Sequence, residues 1–292
     1  MRHKLCLIGL RNTTLGAEAK MKLAFYCVFK MTVLLAILAS TTVKADESDS
    51  IHQPWDQLLS KHVKSISKGT STQVNYSGFK TDQVMLTGYL DALSQVSQRE
   101  FNSWSKAKQL AFLINAYNAW TVAFILTKYP DIASIKELGS FFSSPWRKEF
   151  IPLLGKTRSL DNIEHTLIRG EGNYNEPRIH FAVNCASIGC PALRAQAYRA
   201  QQLDMQLEQQ TKSFLADTTR NYIADDTLYL SPIFKWYRDD FEQGFGGANS
   251  LNAFTLLYSN ALNLTPTEQR KIKNNTMKIK FLDYNWALND TP

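Results

Sequence analysis

The chain has 292 residues, 44% of them hydrophobic and 20% charged, with a formal net charge of +7. Seven of its 33 basic residues (Arg2, Lys4, Arg11, Lys20, Lys22, Lys30, Lys44) but only one of its 26 acidic residues (Glu18) fall within residues 1–45, so the rest carries a net charge of only +1. Without a basic field beyond residue 45, neither nucleic acid nor an anionic membrane is an expected partner.

Residues 1–45 read as an N-terminal extension and a secretory signal peptide. Lys22 and Lys30 precede the apolar run Met31–Ala39, and small residues up to Ala45 lead to acidic Asp46. Cleavage is expected after Ala45, with Met21 as a second possible start of translation. The competing reading is an uncleaved anchor over Leu23–Val43, long enough to span a bilayer but interrupted by Lys30. Export predicts a periplasmic or secreted protein with no membrane association after cleavage. Residues 46–292 suffice for one substantial core and show no low-complexity linker or internal repeat. One domain is expected, residues 74–289, with a helical lead-in over 46–73.

Residues 46–53 are polar and read as loose. Trp55, Leu58, Leu59, His62 and Val63 follow helical spacing. Val74–Phe79 reads as a short extended piece, after which Thr81-Asp82 opens a helix with Met85, Tyr89, Leu93 and Val96 on its apolar side. Ser105–Tyr129 is apolar almost all round and stops at Pro130, which predicts a long buried central helix. Phe150–Leu154 and Thr157–Leu160 flank Gly155-Lys156 as a hairpin. Asp161 and Glu164 then form a helix-start capping pair, with Ile163, Leu167 and Ile168 facing inward.

Ile179–Val183 reads as a strand and Gln201–Ala216 as an amphipathic helix. Asn221–Ala224 and Thr227–Leu230 read as strands around Asp225-Asp226. Ser231-Pro232 starts a helix whose Phe234, Trp236, Tyr237 and Phe241 are assigned to the core. Thr265-Pro266-Thr267-Glu268 repeats the capping logic, and Met277, Ile279 and Phe281 alternate with Lys278 and Lys280 in a final strand. The fold class is α+β: a single domain with the central helix packed on a small, mainly antiparallel sheet.

Chemistry is concentrated in Arg178–Arg194, which holds His180, Cys185 and Cys190. Three readings of the cysteines stay open. They form a disulfide, as exported proteins allow; or one is a thiolate nucleophile with His180 as its base; or both are inert buried thiols. If 179–183 is a strand, His180, Ala182 and Asn184 share a face, and five extended residues separate His180 from Cys185 by about 16 Å. Asn115 and Asn118 lie one helical turn apart on the central helix. They either pin the 184–190 loop or serve catalysis, by orienting His180 or holding an oxyanion. Glu164 reads as a cap, His165 as an alternative base, and Arg169 or Arg194 as a ligand for a carboxylate. Spacing argues against a zinc site, and no phosphate loop or nucleophile elbow is present, so no metal or cofactor is expected.

FLINAYNAW (112–120), SLDNIEHTLIR (159–169), RIHFAVNCASIGCPALR (178–194), LSPIFKWYRDDF (230–241) and DYNWALN (283–289) resemble, in order, blocks of the Domain of Unknown Function 547 family, over about residues 74–289. With the leader, the chain resembles its exported bacterial type. Asn115, Tyr117, Asn118, Glu164, Arg169, His180, Cys185, Ser187, Cys190 and Pro191 occupy motif positions. Gly189 stands where the family often has serine. The resemblance implies no established reaction, and it carries a distant likeness to papain-like and transglutaminase-like folds.

The reading placed first is a thiol-dependent hydrolase or acyltransferase acting on an amide or ester of a small-molecule or peptide-like substrate. Its catalytic set is His180, Cys185, Cys190, Asn115 and Asn118, with Asn184, Ser187, Arg169 and Glu164 binding substrate. The alternative is a non-enzymatic binding module with a Cys185–Cys190 disulfide-pinned loop. A redox role for the cysteine pair ranks third and requires an accessible bond.

Overall fold

A computed structural model describes residues 47–140, 143–170 and 172–292, and Ser48–Pro292 forms one compact unit within it. The expected extension, signal peptide, cleavage site and anchor lie outside the described residues.

The helix Lys106–Leu126 forms the axis of the fold. Ser105 caps it by accepting from the Lys108 amide, and residues on every side of it are buried, including Phe112, Ile114, Ala119 and Ile125. A helix apolar all round needs partners all round. They are the helix Gln83–Gln95, the segment Tyr76–Thr81 and the segments carrying the site; the helix Gln53–His62 packs in turn on the first two. Trp55 stacks on Tyr89 with ring centroids 5.8 Å apart. His52, in the stretch read as loose, is buried with Nδ1 2.8 Å from the Tyr89 hydroxyl.

The described residues form three small sheets beside this core. β1 (Val63–Ile66) pairs antiparallel with β2 (Ser71–Val74), and β3 (Ile151–Leu153) with β4 (Lys156–Arg158). β5 (Tyr222–Ala224) pairs antiparallel with β6 (Thr227–Leu230), which runs parallel to β7 (Lys278–Phe281). The β3–β4 turn places Leu154 and Gly155 at φ 55° and 73°, and the β5–β6 turn places Asp225 and Asp226 at 48° and 56°. Two central residues at positive φ match the twist of a tight hairpin. The molecule is thus a mixed α+β domain with one long buried helix and small, mostly antiparallel sheets.

Several local expectations change. Tyr76–Thr81 is helical because the Asn75 side chain accepts from the Gly78 amide, a cap that ends the strand at Val74. On the next helix Leu86, Leu90 and Leu93 face the core, whereas Met85 is exposed. Asp161 makes no cap; Ser159 accepts from the Asn162 amide at the start of a π-helical segment, Asn162–Ile168. The stretch expected as a strand over 179–183 is instead a 3-10 helix, Pro177–Phe181. Pro177 opens it, and the Glu176 carboxylate accepts from the Arg178 amide, favouring a helical turn over extension. The helix expected after Ser231 is split at Tyr237 into Ile233–Trp236 and Arg238–Phe241.

The 3-10 segment lies between two apolar clusters. Ile179, Ala182 and Val183 join the cluster of the central helix. Phe181 joins a second one with Phe214, Phe234, Phe241 and Phe254. His180 is therefore held from both sides.

Candidate functional site

The amides of the central helix set the loop. Asn118 donates from Nδ2 to the Ala182 carbonyl at 3.0 Å and accepts from the Asn184 amide at 2.8 Å. Asn115 does the same for Tyr198, at 2.8 and 2.9 Å. Asn184 in turn donates to the Pro191 carbonyl and accepts from the Ala186 amide. Buried amides left unpaired would cost about 1–3 kcal/mol each; here they pin backbone. Ser187 is buried, its hydroxyl 3.4 Å from the Cys185 carbonyl.

The C-terminal segment straps the loop from outside. The Ile188 and Gly189 amides donate to the carbonyls of Ala287 and Asn285, both at 2.8 Å, and the Asn289 amide donates to Ala186. A side chain at Gly189 would bring Cβ to 3.0 Å from the Asn285 carbonyl and the Tyr284 ring, so a serine there would need the strap to give by a few tenths of an ångström.

Cys185 and Cys190 are joined as a disulfide, with Cα atoms 6.1 Å apart. This overturns the nucleophile reading: neither sulfur is a free thiol, and the hydrolase or acyltransferase built on one loses its attacking group. The bond closes a turn in which Ala186 adopts φ 62°.

His180 meets a partner, Asp240, that no motif had marked. The imidazole Nε2 lies 2.7 Å from Asp240 Oδ2, and Arg169 holds the same carboxylate through two bonds of 2.6 and 3.0 Å. Arg169 also donates to His165 Nδ1. Its fork is thus occupied within the protein, and Arg194 binds Gln209. Burial lowers the His180 pKa, with the Asp240 hydrogen bond only partly opposing it, so the imidazole is neutral. Burial raises Asp240, but hydrogen bonds from His180 and Arg169 outweigh it and hold the carboxyl well below its usual range. The neutral ring therefore donates Nε2–H to Asp240, which leaves Nδ1 as an acceptor with no partner among the described residues. Tyr237 stacks on the ring at 3.9 Å.

Glu164 is buried close to Tyr117 and Tyr237. It serves these tyrosines rather than the cap expected of it. Burial, and then Glu164, push both tyrosine pKa values up and keep them protonated.

These groups border one cavity of about 440 Å³. Its walls include Tyr117, Trp146, Trp236, Tyr237, Tyr284 and Trp286; Glu164, His165, His180 and Cys185 also line it. Trp236 was assigned to the core but is 47% exposed, and Tyr237 faces the cavity with it. Trp286 packs between Trp146 and Trp236, with centroid distances of 5.5 and 5.9 Å. Of the residues expected at a site, His180, Cys185, Glu164 and His165 come together here. Asn115, Asn118, Asn184 and Ser187 support from behind, and Arg169 orients His180 through Asp240. Among the described residues no group of three His, Cys, Asp or Glu side chains is placed to hold a metal ion.

Residues 101–215 match a family model, Protein of unknown function, DUF547. The DUF547 match spans the central helix, Glu164, the 3-10 segment and the disulfide loop. Asp240, Trp236, Tyr237, Tyr284 and Trp286 lie outside it. No curated protein and no solved structure matches the chain, so the likeness to papain-like and transglutaminase-like folds gains no support.

Proposed function

We propose that the protein is an exported, non-enzymatic binding module whose aromatic-walled cavity takes a small molecule or short peptide. The observation that carries this reading is the cavity itself, walled by Tyr117, Trp146, Trp236, Tyr237 and Trp286, with His180 locked to Asp240 at its lining. The indole and phenol rings would cover an apolar ligand face, and Glu164 and His165 at the lining would meet its polar groups. Cavities of a few hundred Å³ with few polar groups among aromatic walls are the usual form of small-molecule sites. The disulfide and the strap keep the floor in place before ligand arrives, which reduces the ordering cost of binding.

Export is supported by the order of charges and apolar residues before Asp46 and by a disulfide, which oxidising compartments preserve. Titration of tryptophan fluorescence with a panel of monosaccharides, small amines and dipeptides tests the binding reading. Saturable quenching that weakens about tenfold or more in both His180→Ala and Trp286→Ala is expected. Affinities unchanged in both variants would place the binding elsewhere.

A further inference from the structure

The two sulfurs of the Cys185–Cys190 bond are not equivalent. Cys185 is partly exposed and lines the cavity, while Cys190 is buried at 2% exposure. Cys190 Sγ accepts the backbone amides of Cys185 at 3.0 Å and Ser187 at 3.4 Å. The Tyr284 hydroxyl completes the set, 3.2 Å from Cys190 Sγ and 3.1 Å from Cys185 Sγ. Burial, partly opposed by Arg220, pushes the Tyr284 pKa up, so this hydroxyl is a donor.

A disulfide sulfur is a weak acceptor and gains little from three donors. A thiolate gains much more, because hydrogen bonds to the charged form favour it. The two amides thus converge on the sulfur that would carry charge if the bond opened, the Tyr284 hydroxyl is within reach of both sulfurs and free to turn to that one, and the sulfur left toward the cavity is the one a reagent can reach. Two successive-turn amides aimed at one point form an anion-binding concavity of the kind backbone nests provide.

We propose that this disulfide is a thiol-exchange site for a small thiol or cysteine-bearing peptide entering the cavity. The entering sulfur, as thiolate, attacks Cys185 Sγ and forms a new S–S bond there. The Cys185–Cys190 bond breaks, and its electron pair leaves on Cys190 Sγ, held by the Cys185 and Ser187 amides and the Tyr284 hydroxyl. The entering thiol ionises in solvent, which takes its proton before the attack. The protein disulfide is the oxidant and the thiol is the reductant. Return of the Cys190 thiolate to Cys185 expels the thiol and restores the bond. The inference shares the cavity with the binding module but does not depend on which other ligands enter it.

Folded protein is incubated with reduced glutathione at neutral pH, quenched in acid and mapped by peptide mass spectrometry. The expected result is glutathione on Cys185 with Cys190 free, formed about tenfold more slowly in Tyr284→Phe. A bond that opens only after denaturation overturns the inference, as does an adduct on Cys190 or an unchanged rate in Tyr284→Phe. Exchange without binding of any panel ligand keeps this inference and removes the binding module. Ligand binding with an inert disulfide does the reverse.

Discussion

Asp240 Oδ2 sits 2.7 Å from His180 Nε2, joining residues 60 apart in sequence, and Arg169 closes on the same carboxylate. The three side chains fix the tautomer of the one imidazole held between the two apolar clusters. Asp240→Ala leaves a largely buried guanidinium and a buried imidazole without their acceptor. A loss of about 2–4 kcal/mol is expected, below the full cost of a completely buried pair because both ion-pair side chains retain about a fifth of their exposure. Urea unfolding of the variant measures it, and a loss under about 0.5 kcal/mol would show that the triad is not coupled.

Stability falls on the acid side in two stages. His180 is lowered by burial, and His52 is lowered to about 3 by burial together with Arg199 and Lys108. Each is neutral when folded, so the unfolded chain binds more protons below about pH 6.5 and stability declines as pH falls toward the folded values. Asp240, whose folded pKa is depressed, adds its loss only below about pH 4. Unfolding free energy measured from pH 7.5 to 4.5 should drop in the wild type. The slope should be shallower in a folded His180→Gln variant, and an identical slope would remove His180 from the acid response.

Asn118 holds two backbone groups at once, the Ala182 carbonyl and the Asn184 amide. Truncation strands both, so Asn118→Ala should cost about 2–4 kcal/mol in chemical unfolding. Trp286 fluorescence should also change, because the loop anchored by Asn118 is the one strapped by residues 285–289. A variant with wild-type stability would mean that water replaces the amide without penalty.

Replacing both cysteines by serine removes a cross-link between residues five apart. A closed loop this short contributes about 2 kcal/mol by chain entropy. The fold should survive, because Asn118 and the strap hold the same loop independently. A shift of the urea midpoint with an unchanged slope checks this; loss of cooperative unfolding would make the disulfide indispensable.

N-terminal sequencing of the exported protein should begin at Asp46, the residue after the expected cut. Retention of residues 31–45 would favour the anchor.

What was legible in the sequence came from patterns that packing reinforces. The central helix was readable because nothing but burial accommodates a continuous apolar stretch between Ser105 and Pro130. The hairpins were readable from Gly155 and from Asp225-Asp226, and the cap at Thr265 from Glu268 three residues on. Ile179–Val183 misled because a run that is buried on all sides shows no period, and the cap at Glu176 lay outside it. Asp240 stands within LSPIFKWYRDDF but looks like one of two exposed acids. Nothing local marks which of them turns inward to His180. Trp236 went to the core by its hydrophobicity, although the break at Tyr237 turns it to the cavity. The cysteines left two chemistries open, since a five-residue separation fits both a cross-link and a catalytic turn.

The most direct test is alkylation of the native, unreduced protein, with peptide mapping of Cys185 and Cys190. A loop closed by a disulfide predicts that both cysteines stay unmodified under iodoacetamide and that both become labelled after reduction in denaturant. Labelling of either cysteine in the folded, unreduced protein would contradict it and return a free thiol to the cavity.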